Sequence, residues 1–258
     1  MICMRQDTLS YKLFSITLAF VLSVWMPVAC ASDYRPSEID YYLAPDYCKA
    51  RFSQKDIKSP ADSWTRYPES GIKKWASRIG PVWRHMHHYC LGKAVLTRLQ
   101  TQRSTSLRGK DIHDEYRRAV DLIEYTWSKA SPGSPLWDEM SIDYARALEG
   151  TGEIDKSVNV LVDLQKASPK HVAVYVALAK TLKRAGKITD AIATLETAPA
   201  DMKPTGPIEF YLAHFYFDVG DTEKSRHYLV LAEHSGMKMA SLKKQLDLKE
   251  QQLLPRKE

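Results

Sequence analysis

Three glycines, Gly152, Gly186 and Gly220, stand 34 residues apart in two successive steps. A fixed period of that length is the signature of a supersecondary unit used repeatedly, and it restricts the chain more than any other feature. Columns drawn relative to each glycine test the reading. Seven residues before it stand Ala145, Ala179 and Ala213, and five after it stand Ser157, Ala191 and Ser225. All six are small. Nine after it stand Leu161, Leu195 and Leu229, and four before it stand Leu148, Leu182 and Tyr216, all large and apolar. Two antiparallel helices approach closely only where a small side chain on one meets a larger one on the other, with a turn between them that tolerates glycine. Pro169 and Pro204 fall near the ends of units, where proline stops a helix without disturbing its interior.

On these columns residues 138–239 resemble the tetratricopeptide repeat family as three units, and the chain resembles an exported bacterial member of it. The pattern departs from the family in lacking the early Trp, for which Ser141, Tyr175 and Glu209 stand instead. The resemblance implies an all-α fold, a right-handed solenoid of antiparallel helix pairs. Residues 85–137 read as a degenerate unit, with helices expected over 87–100 and 116–130 and a polar insertion over 101–114 between them. Residues 32–84, rich in Tyr, Trp and Pro, show no repeat and are expected to form an irregular helical cap, with short helices near 38–43 and 47–53. Residues 240–258 alternate Leu242, Leu246 and Leu253 with Lys and Glu, the one-sided pattern that a capping helix needs, followed by a tail.

Residues 13–31 carry no charge and follow Arg5 and Lys12. This is the arrangement of a secretory signal, and Ala29, Cys30 and Ala31 supply the small-x-small pattern for cleavage after Ala31, making residues 1–31 the signal peptide. Two alternatives stand: an uncleaved inner-membrane anchor formed by residues 13–31, and lipid modification of Cys30, against which Pro27 counts. Export places the chain in the periplasm or an equivalent compartment. Loss of Cys3 and Cys30 then leaves Cys48 and Cys90 as the only thiols in an oxidising environment, which points to one disulfide; the alternative is two buried free thiols.

The net charge of +6 comes from 37 basic residues scattered among 31 acidic ones. Nothing gathers them into the block or stripe of a nucleic-acid arm. Signatures of nucleophile elbows, phosphate loops, dinucleotide folds and dithiol redox motifs are missing, so the expectation is a non-catalytic protein without a cofactor.

The family resemblance implies a partner peptide or helix bound in the concave surface formed by the first helix of each unit. There Arg146, Lys180 and His214 recur in one column, Lys183 and Arg184 extend the basic patch, and Phe210 and Phe217 place apolar surface beside it. That combination suits an acidic or C-terminal segment with a hydrophobic anchor on an envelope protein. The plainer alternative is the ordinary charge of a solvated helix face. The family's two-carboxylate clamp is not matched, since Asn is absent from its column. A second functional alternative is metal binding or delivery by His85 and His88, spaced to share a helix face, against a buried or groove-lining aromatic role for the same residues. A third is self-association through the ends of the array.

Overall fold

A computed structural model of the chain describes residues 36–54, 67–101 and 109–253. The signal reading of residues 1–31 and the tail after 253 lie outside the described residues. All regular structure among those described is helical: α1 (Glu38–Leu43), α2 (Asp46–Phe52), α3 (Glu69–Ile79), a 3-10 stretch Gly80–His85, α4 (Met86–Thr101), α5 (Gly109–Trp127), α6 (Trp137–Gly150), α7 (Ile154–Ala167), α8 (Val172–Arg184), α9 (Ile188–Glu196), α10 (Pro207–Asp218), α11 (Thr222–His234) and α12 (Ala240–Leu253). From α4 onward each helix packs against its successor, giving the pairs α4/α5, α6/α7, α8/α9 and α10/α11, with α12 laid against α11.

The repeat has one backbone cause. Helices α6, α8 and α10 each end in the same turn, with Gly152, Gly186 and Gly220 in the left-handed region at φ 84°, 77° and 86°. At each, the amide of the residue after the glycine reaches back: Glu153 donates to the Leu148 carbonyl at 2.9 Å, Lys187 to Leu182 at 2.9 Å and Asp221 to Tyr216 at 3.0 Å. The glycine amides donate to Glu149, Lys183 and Phe217. This pair of bonds satisfies carbonyls that the helix end leaves open, and it needs a residue with positive φ. The small columns then let the second helix fold back closely: Ala145, Ala179, Ala213, Ser157, Ala191 and Ser225 are all buried. The buried Ser225 Oγ is satisfied by donating to the Ala213 carbonyl at 2.8 Å.

One core runs from Tyr41 in α1 through the pairs to Tyr216 in α10. A smaller cluster of Ala213, Leu229, Ala232, Met239, Leu242 and Leu246 holds α12 in place. Arg226 clasps that helix from outside through Asp247 at 2.9 Å and Glu250 at 2.7 Å.

The N-terminal elements differ from the sequence expectation in two respects. An eleven-residue helix, α3, stands where only irregular structure was expected between the second short helix and residue 80. Also, α5 begins at Gly109, so the second part of the polar insertion is helical. Cys48 and Cys90 form a disulfide, with Cα atoms 5.5 Å apart, that ties α2 to α4.

Candidate partner-binding groove

Helices α4, α6, α8 and α10, the first members of the pairs, are neighbours in series. Between α4, α6 and α8 lies a cleft of about 450 Å³. Its walls are apolar at Leu96, Ile142 and Val176, and its rim carries Arg146, Lys180 and Arg184. Three of the seven groove residues expected from sequence therefore come together here.

Their charges are not equally available. Arg184 and the hydroxyl of Thr181 both bind Glu149, whose side chain is only 7% exposed. Arg146 donates to Asp143 at 3.1 Å. Lys180 has no carboxylate partner among the described residues and lies 5.5 Å above the Tyr211 ring, a cation–π position that keeps its ammonium at the rim. Lys180 is thus the cation of the cleft left for an incoming group.

The other four expected residues lie elsewhere. Lys183 pairs with Asp218 and covers the Phe215 ring at 5.0 Å. Phe210 and Phe217 are half-buried against the C-terminal cluster, and Lys249 of α12 sits 5.2 Å over Phe217. Their apolar surface is largely taken up in holding the cap. His214 packs 4.6 Å from the Phe210 ring, and burial, with the Lys183 charge adding and Asp218 opposing, pushes its imidazole below the ordinary pKa.

Upstream, the N-terminal halves of α4 and α6 are already covered. Tyr47 of α2 stacks on Tyr89 with ring centroids 6.4 Å apart and donates its hydroxyl to Glu139 at 2.7 Å. Lys93 bridges Glu139 at 2.8 Å and Asp143 at 2.7 Å, and Tyr89 donates to Asp143 at 2.8 Å. Burial opposes the Lys93 charge, but the two carboxylates outweigh it and raise the pKa. Burial and the same carboxylates push both tyrosines well above their ordinary range, so they act here as hydrogen-bond donors. With the disulfide beside it, α2 works as a strap over this end of the inner face.

The histidine run sits on the outer side of that strap. His85 and His88 pack against Tyr125 at 5.5 and 4.3 Å, and His87 lies 4.1 Å from His88. Arg84 donates to His85 Nε2 at 3.0 Å, and Lys129 covers the Tyr125 ring at 5.1 Å. Among the described residues no group of three His, Cys, Asp or Glu side chains converges as metal ligands, and Cys90 is committed to the disulfide. Burial first and the nearby cations next hold both imidazoles below their usual pKa. In this arrangement both rings take part in aromatic packing against Tyr125.

Sequence reasoning missed Glu149, Asp143, Lys93 and Tyr116, which shape the cleft or set its charge. Apart from the Asp143–Arg146 pair within α6, their partners come from other helices.

The pairs, their period and their closing turns decide the fold. The fold is an all-helical solenoid of antiparallel pairs. No family model matches the chain, and no curated protein matches it. Among solved structures it is similar to MamA MSR-1 C2, at 18% identity over 65% of this chain and 86% of that one, with a TM-score of 0.42. It is also similar to TTC0263, a thermophilic TPR protein of Thermus thermophilus, at 13% identity over 64% and 92%, with a TM-score of 0.42. A kinesin light chain protein of Podosopora anserina with nearly identical TPR-like repeats matches at 17% identity over 81% and 99%, with a TM-score of 0.42.

Proposed function

We propose that the chain is a non-catalytic adaptor of the bacterial cell envelope that holds a segment of a partner protein in the cleft between α4, α6 and α8. The observation that carries this reading is Lys180, a cation without a carboxylate partner among the described residues, on the rim of a cleft lined by both polar and apolar side chains. A ligand that fits presents one carboxylate, from an acidic side chain or a chain end, next to small apolar side chains. Arg146 and Arg184 border the site and position Asp143 and Glu149; they add contacts but little net charge. Export is supported by the uncharged run 13–31 and by the disulfide, which suits an oxidising compartment.

The test is in vivo crosslinking in the native envelope, followed by capture and mass spectrometry, comparing wild type with Lys180→Glu. Arg184→Glu is a poor companion change, because it would set a second carboxylate against the buried Glu149 and unfold the site. One partner that dominates and is lost in Lys180→Glu supports the reading. Capture undiminished in that variant removes the cleft as the site.

A further inference from the structure

Large apolar side chains that remain exposed among the described residues are mostly scattered singly along the array. One helix departs from this. Ile39, Tyr42 and Leu43 of α1 are 65%, 62% and 54% exposed. Glu38 stands one turn before Tyr42, and Ile39 one turn before Leu43, so α1 turns outward a patch of one carboxylate and three apolar side chains. Glu38 is exposed and has no cationic partner among the described residues. The other side of the helix is fixed to the body of the protein: Asp40 is buried and bound to Arg98 at 3.4 Å, and Tyr41 belongs to the core. A reciprocal cap between Ser37 and Asp40 closes the first turn. The patch is therefore preformed, and whatever covers it binds without first ordering the segment.

We propose that the partner of the cleft is a second copy of this chain, which inserts its α1 patch between α4, α6 and α8. The proposal rests on reading the cleft as a binding site. The two surfaces are complementary in kind. The patch sets a carboxylate without a cationic partner beside apolar side chains; the cleft sets Lys180, a cation without a carboxylate partner among the described residues, beside Leu96, Ile142 and Val176. Glu38 meets Lys180, and the aliphatic pair Ile39 and Leu43 lies on the apolar walls, while Tyr42 offers its ring to the exposed guanidiniums of Arg146 and Arg184. Asp46, exposed at the start of α2 with Lys49 3.9 Å away, adds a second negative charge toward the basic rim. The patch cannot reach the cleft of its own molecule: α1 is held on α4 by the Asp40–Arg98 pair, and the disulfide fixes α2 behind it. Patch and cleft are different surfaces, so the contact is head-to-tail and builds a ring or an open chain of copies. In an open chain the last copy keeps an empty cleft for a segment of another protein.

The test uses a chain that begins at Ser32, since residues from Tyr34 onward form a compact unit by themselves. Sedimentation velocity over a concentration series compares wild type with Ile39→Ser/Leu43→Ser, Glu38→Lys and Lys180→Glu, and thermal melting checks that each keeps its fold. Wild type is expected to grow with concentration, and each variant to associate at least about tenfold more weakly. The double variant retains its cleft and Lys180→Glu retains its patch, so an equal mixture of the two is expected to form a heterodimer that grows no further. Glu38→Lys mixed with Lys180→Glu is expected to recover growth, because both junctions then pair opposite charges. A wild type that is monomeric throughout, a folded patch variant that associates as wild type, or variants that do not complement each other in the mixture overturns the proposal. Envelope capture separates the two readings: a foreign partner lost in Lys180→Glu but kept by Ile39→Ser/Leu43→Ser, with a monomeric wild type, leaves the cleft as a binding site and removes the second copy as its partner.

Discussion

Replacing Gly150 with alanine tests how tightly the inner wall of the cleft is built. Gly150 is the last residue of α6, where alanine ought to help, since glycine costs up to about 1 kcal/mol relative to alanine in a helix. A Cβ at this position, however, would lie 2.1 Å from Cδ1, 2.2 Å from Cγ and 2.4 Å from Cε1 of Tyr116. Because Cγ is the atom by which the ring is attached, turning the ring in place does not relieve the overlap. Either Tyr116 changes rotamer or α5 moves away from α6. Overpacking of this kind costs about 1–3 kcal/mol, so the net expectation is a loss of up to about 2 kcal/mol once the propensity gain is subtracted. In a Tyr116→Ala background the sign should reverse, and Gly150→Ala should stabilise by up to about 1 kcal/mol. Urea titration followed by far-ultraviolet circular dichroism measures all four proteins, with unchanged slopes showing that the comparison is of stabilities. A stabilising Gly150→Ala in the wild-type background, or an equal effect in both backgrounds, would refute the packing argument.

Three further expectations follow from the N-terminal strap, the half-buried His214 and the leader. Cys48→Ala with Cys90→Ala opens a loop of sequence separation 42 and should cost about 4 kcal/mol in the chain-entropy account. Hydrogen exchange should show the loss concentrated in α2 and α4, and unchanged protection there would contradict it. His214 has its pKa depressed by burial, so below the ordinary value of 6.5 the unfolded chain takes up the proton first and stability falls as pH drops, with no effect above that value. His214→Gln should flatten that acid slope in melting temperature; an unaltered slope would assign it to other groups. Intact-mass measurement on protein from the envelope should give a mature N-terminus at Ser32, whereas a full-length mass would establish an anchor.

Much of the array was legible because its turns are a backbone matter. A positive φ at residues 152, 186 and 220 demands glycine, and the close crossing beside it demands Ala or Ser, so both leave marks at fixed spacing. The helix α3 left no such mark: it starts after Pro68, includes Gly71 and Ser70, and buries only Ile79 fully. The early part of α5 was read as insertion because Lys110, Asp111, His113 and Asp114 make it polar, although Ile112, Tyr116 and Ala119 already follow a helical step. In the cleft, Arg146 and Lys180 were visible in a basic column with His214, and Arg184 as an extension of that patch. Which of them is neutralised was not, since Glu149 meets Arg184 from a neighbouring helix, and the spacing of Arg146 from Asp143 has no meaning until Lys93 and Tyr89 are placed around the same carboxylate. Phe210 and Phe217 looked like ligand surface for a related reason: the sequence names their apolar character but not that α12 would claim it.

A stack in which each helix pair leans only on its neighbours is like a column of coins, and it comes apart from whichever end is loose. Here the ends are unequal. The first pair is stitched covalently to its strap and braced across two helices by Tyr47 and Lys93, while at the other end α12 is held by a six-residue apolar cluster and one arginine clasp. The molecule consequently has a mechanical polarity: strain applied along its length is released first by peeling α12, while the cleft, lying nearer the stitched end, keeps its shape.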